Sequence, residues 1–160
     1  LIMALKPAQK TKLLAAIAAD PALAAFPNTN DGAFEIAVAL NQEATPAFVV
    51  WRSNYNPQQI RAAITESATQ LDNLTNSKRE ALLWWAEGTY DMGKVSTRAA
   101  VTDFTAATAN LQTSILDGGK RTALRIEAIM ANGTGTAVSP GKLGWEGQIS
   151  YQDVFEARSS

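Results

Sequence analysis

The sequence predicts a mainly α-helical single domain, a bundle of short helices with a small C-terminal β-hairpin and a short terminal helix. Three observations predict it. Prolines stand where first helical turns accept them, at Pro7, Pro21 and Pro57. Apolar residues recur at helical spacing, as in Leu13, Leu14 and Ile17 or Ile60, Ala63 and Ile64. From Asn132 onward the texture changes to Gly, Thr and Ser around a Ser139-Pro140-Gly141-Lys142 turn.

Pro7 opens an amphipathic helix that Asp20-Pro21 ends, starting a second short one. The segment Leu1 to Lys12, with Lys6, Lys10 and Lys12, loosely imitates a secretory leader, but its lysines lie within the helical pattern. After the turn cluster Phe26 to Gly32, Asp31 or Asn30 can cap a helix expected to bury Phe34, Ile36, Val38 and Leu40. Thr45-Pro46 stops it, and Phe48 to Trp51 reads equally as a buried strand or a short helix.

Asn56-Pro57 restarts a helix as cap and first turn. Ser77 and Glu80 have capping-box spacing ahead of Leu82 to Trp85, a helix expected to run to Gly88. Ser96 can open another, with Val101, Phe104 and Ala107 on one face. Leu111 to Leu116 and Leu124 to Met130 read as two helices joined at Gly118-Gly119. Thr134 to Val138 and Lys142 to Gly147 are expected to form the hairpin. Ser150 caps the terminal helix. No internal repeat appears, and the chain reads as one domain: a helical body 1–131, the hairpin 132–149, and a terminal helix and tail 150–160.

The chain has 160 residues with no histidine and no cysteine. That removes the imidazole base, the thiolate nucleophile and the usual zinc, haem and iron–sulfur ligands, and no cofactor or metal is expected. The remaining acids, such as Glu80 with Glu87 or Asp91 with Asp103, have no spacing that assembles a catalytic pair. Gly133-Thr134-Gly135 follows a helix and leads into a hairpin, the wrong context for a phosphate loop. The expectation is a protein that is not an enzyme.

Charged residues make up 18%, with 14 basic against 15 acidic and a net charge of -1. Neither nucleic acid nor an anionic membrane is favoured by such a balance. The apolar runs Leu13 to Ala19 and Ala44 to Trp51 are far shorter than the roughly 20 residues of a membrane span. A charged fraction below the roughly 25% of average domains leaves a surface rich in Ala, Thr and Ser, suited to packing against protein.

Seven residues are the candidate interface. Trp84 and Trp85 are helical neighbours about 100° apart, so both rings do not share one buried face, and the pair reads as core or as an exposed anchor. Lys120, Arg121 and Arg125 could form a basic stripe for phosphate or an acidic subunit edge, Arg121 and Arg125 lying one helical turn apart. The plain alternative is a solvated face paired with Glu127. Trp51, Trp145 and Tyr151 complete the set, with Trp51 and Trp145 equally open to a core role.

The C-terminal string Asn132-Gly133-Thr134-Gly135-Thr136-Ala137, Ser139-Pro140 and Trp145-Glu146-Gly147 through Tyr151-Gln152-Asp153-Val154 resembles the ending of small bacteriophage and prophage virion proteins. The stretch from Asp31-Gly32 through Thr45-Pro46 to Val50-Trp51-Arg52 resembles the same group. The resemblance implies a head-tail connector, or adaptor, subunit in the neck of the virion. Its implied partners are copies of itself in a homo-oligomeric ring, the portal, and tail or neck proteins, with passive contact to DNA in the lumen and none to membrane. A capsid decoration or head-completion protein is the alternative, and a small phage enzyme or nucleic-acid-binding protein the second.

Overall fold

A computed structural model describes residues 4–160; Leu1–Met3, the start of the leader-like segment, lie outside the described residues. The fold is mainly helical. In chain order the elements are α1 (Pro7–Ala19), α2 (Pro21–Ala24), α3 (Asn30–Leu40), β1 (Val49–Trp51), α4 (Pro57–Glu66), a 3₁₀ turn (Ala68–Asn73), α5 (Asn76–Trp85), α6 (Val95–Phe104), α7 (Ala109–Gly118), β2 (Lys120–Thr122), α8 (Arg125–Met130) and α9 (Tyr151–Ser159). The segment Phe48 to Trp51 therefore resolves as a strand. It pairs with β2 in an antiparallel two-stranded sheet whose flanking bonds, Arg52 N–H to Gly119 O and Ala123 N–H to Phe48 O, place Trp51 opposite Lys120.

The chain divides into two compact units, one formed up to Val49 and from Thr122 onward, the other by Val50–Arg121. The helical body read as residues 1–131 is thus shared between two units, each with its own apolar cluster. In the first, Leu13, Ile17, Ile36, Leu40, Ile126, Trp145 and Val154 pack together. In the second, Tyr55, Ile60, Leu82, Trp85, Met92, Leu111 and Ile115 do.

The first unit is built on α3 packed against α9. Thr29, not Asn30 or Asp31, caps α3, its hydroxyl accepting from Gly32 N–H at 3.1 Å. The buried stripe is Ala33, Ile36, Ala37 and Leu40, at i, i+3, i+4 and i+7. Phe34 and Val38 lie off that stripe and are exposed, against expectation. Asp20 accepts from Ala22 N–H to cap α2, and Ser150 accepts from Asp153 N–H to cap α9, both as the sequence predicts.

The expected hairpin of residues 134–147 does not form. Gly133 and Gly135 take φ of 100° and 70°, which breaks extended backbone, whereas Gly141 lacks the positive φ a type II turn requires. The two ends meet in one bridge, Asn132 with Lys142. The rest of the segment wraps the start of β1: Val49 N–H donates to Gly135 O at 2.7 Å, and Gly141 N–H donates to Val49 O at 2.8 Å. Phe48 fills the space that glycine leaves, since a Cβ on Gly135 would lie 2.4 Å from its ring.

Buried Glu127 and half-buried Asn41 tie down the remainder of this stretch. Glu127, 1% exposed, accepts from Leu124 N–H at 2.8 Å and from Gly147 N–H at 3.0 Å. Asn41 mimics a strand partner for Ile149, donating to its carbonyl at 2.9 Å and accepting from its N–H at 2.8 Å.

In the second unit α4 packs on α7. Asn56 and Gln59 form the capping box of α4. Thr75 rather than Ser77 caps α5, accepting from Lys78 N–H at 3.2 Å, and the helix ends at Trp85, short of Gly88. Val95 opens α6 with no side-chain cap, so Ser96 is not its cap and Ala107 lies beyond its end. The Gly118-Gly119 pair leads into β2, so a strand separates the two helices expected to join there.

Two substitutions test this account of the first unit. Glu127→Ala strands two amides and is expected to cost about 2 kcal/mol or more in chemical denaturation. Gly135→Ala combines positive φ with a clash against Phe48, and is expected to cost about 1 to 3 kcal/mol by the same measurement.

Candidate interaction surface

The two adjacent tryptophans have opposite fates. Trp85 is 4% exposed and stacks on Tyr90, with ring centroids 4.3 Å apart and planes 9° from parallel. Trp84 is 73% exposed. The helical rotation of about 100° that separates their side chains forces this split once one face of α5 is buried. Leu83, at 46% exposed, joins Trp84 outside, while Leu82 is fully buried. Glu80 and Glu87 are also exposed. Glu80 precedes Trp84 by one helical turn, and Glu87 follows in the turn closed by its N–H to Trp84 O, at 3.1 Å. An indole flanked by two carboxylates results.

Trp51 is half-buried in β1. The Arg98 guanidinium lies 4.8 Å from its ring centroid and the Lys120 ammonium 5.4 Å away, so cation–π contacts occupy this side chain. Lys120 also pairs with Asp117 at 2.8 Å. Trp145 is 8% exposed, and its indole N–H donates to Gly147 O at 3.0 Å, which assigns it to the core of the first unit.

The basic stripe does not exist as a helical face. Arg121 belongs to β2 and Arg125 begins α8, so they are not one helical turn apart. Arg125 pairs with Asp20, and the Glu127 carboxylate accepts from the Leu124 and Gly147 amides. Hydrogen bonding to this guanidinium is the main reason the Asp20 carboxyl titrates below its ordinary 3.8. Burial pushes the Tyr55 phenol well up, opposed by Arg52, and its hydroxyl donates to Ile115 O at 2.9 Å. Burial also raises Tyr90.

Tyr151, 39% exposed, lines a shallow cavity of about 210 Å³ in the first unit with Phe34, Asn30 and Asp31. Phe34 at 54% and Val38 at 42% are further exposed apolar groups that sequence reasoning missed. The Ala33/Ala37 pair is the signal for them, since two small residues one turn apart mark the side of α3 that a partner helix approaches. A second cavity, about 470 Å³, has Leu5, Lys10, Phe155, Glu156 and Ala157 in its walls. In the second cavity Lys10 donates to the Ser160 hydroxyl. No cluster of three or more metal-ligating acids occurs among the described residues, and none of their helices is long and apolar enough to cross a membrane.

Comparison with known protein families, with curated proteins and with solved structures finds no match.

The contrast within α5 is measurable. Trp85→Ala is expected to lose about 3 to 5 kcal/mol of stability, and Trp84→Ala to stay within about 0.5 kcal/mol of wild type in denaturant titration. Asp20 supplies a pH signature. Its lowered folded value means that its stabilisation is present above about pH 4 and is lost as pH falls through that lowered value. Thermal melts of Asp20→Asn are expected to show a shallower loss of stability below about pH 4 than wild type.

Proposed function

We propose that this chain is a bacteriophage virion structural protein, a head-tail connector subunit that forms a ring between portal and tail. The exposed Trp84 with Leu83 is the observation that carries the reading. A surface indole of this kind is the side chain most enriched at the energetic centres of protein interfaces. Phe34, Val38 and Tyr151 offer a further apolar surface on the other unit. The low charged fraction and the net charge of -1 suit subunit packing, and a lumen that passes DNA without gripping it. The motif resemblance around Val50-Trp51-Arg52 and in the C-terminal string supports placement in the neck.

Recognition in this reading is by shape and apolar complementarity, with no chemical step. Copy number is the test. Quantitative mass spectrometry of purified particles is expected to find this chain at a ratio near that of the portal subunit. A ratio near that of the major capsid subunit would instead make it a decoration protein, and absence from particles would overturn the structural role.

A further inference from the structure

The acid-flanked indole of α5 has a counterpart in charge within the same chain. Helix α1 and its N-cap carry Lys6, Lys10 and Lys12, and α1 contains no acidic residue. Lys6 and Lys12 are exposed, and Lys10 is occupied by the Ser160 hydroxyl. The surface on α5 and the turn that follows it is Glu80, Leu83, Trp84 and Glu87, all exposed. One side offers an apolar anchor between two carboxylates. The other offers two exposed ammonium groups, about 120° apart around the helix axis, whose long apolar stems let their charged ends reach the two acids from either side of an indole.

We propose that the Trp84 surface of α5 docks on the lysine-bearing α1 of a second copy of this chain. The contact is heterologous, since donor and acceptor are different surfaces of one protein, and repetition of such a contact closes into a ring when the rotation permits. This inference rests on the proposed ring-forming role and names the surfaces through which it would form. Opposite charge steers the encounter and sets register, and the buried indole supplies most of the affinity.

Reciprocal charge reversal tests it. Self-association of the full chain is measured by sedimentation velocity at low and high salt, for wild type, Trp84→Ala, Glu80→Lys/Glu87→Lys, Lys6→Glu/Lys12→Glu and the variant carrying all four reversals. Circular dichroism confirms folding, which exposed positions should not disturb. Wild type is expected to associate more weakly as salt rises. Trp84→Ala and each double reversal are expected to weaken association at least about tenfold, and the fourfold reversal to recover most of it.

Wild-type-like association of Trp84→Ala and Glu80→Lys/Glu87→Lys would overturn the α5 surface. Failure of the fourfold reversal to recover would overturn α1 as the acceptor. If wild type does not self-associate in solution and is absent from particles, the ring reading itself falls. A chain that assembles independently of these residues defeats this inference alone.

Discussion

Residues 131–150 carry the constraint on which the first unit depends: a long stretch of backbone, partly buried, with almost no pairing of its own. Buried amides and carbonyls need partners, and two helices supply them from side chains. Glu127 on α8 takes the Gly147 amide, and Asn41 at the end of α3 takes both polar groups of Ile149. With Val49 holding Gly135 and Gly141, these bonds seat Trp145 and Ile149 in the cluster that α1, α3 and α9 share. Each is local in space and remote in sequence, so the segment is ordered without regular secondary structure.

The second unit is organised around aromatic rings. Tyr55 is buried completely with its hydroxyl satisfied by Ile115 O, and Trp85 stacks on Tyr90. The close approach of Gly118, whose Cβ would meet the Tyr55 hydroxyl at 2.5 Å, lets α7 pack against that ring. Filling this core with Leu82 and Trp85 leaves Leu83 and Trp84 in solvent. The exposure of Leu83 and Trp84 is therefore a consequence of helix geometry, because a run of four large apolar residues on one helix cannot be buried on one side.

Charge plays a secondary role in stability. Lys78 with Asp103, and Lys120 with Asp117, are surface pairs worth little in themselves. Glu80 and Glu87 near Trp84, and Lys6 and Lys12 at α1, are exposed charges outside these pairs.

Helix starts were legible because capping is local chemistry: Pro7, Asp20-Pro21, Asn56-Pro57 and Ser150 act within a single turn. The mainly helical class followed from them. Thr29 and Thr75 displaced the expected caps because several adjacent hydroxyls and amides could serve, and tertiary packing of the helix chooses among them. The candidate surface was half legible: the Trp84-Trp85 adjacency announced that one ring must lie outside, but only packing decided which. The Gly-rich stretch after Asn132 offered the same turn residues to a hairpin and to an irregular wrap. Its fate was settled by Phe48, Val49, Asn41 and Glu127, residues brought beside it only by the tertiary structure. Periodicity and capping thus determined where this chain is helical, because those forces act over a few residues. Burial, side-chain partners for the backbone and the division into two units were decided by the tertiary structure, because they join residues separated by as many as 135 positions.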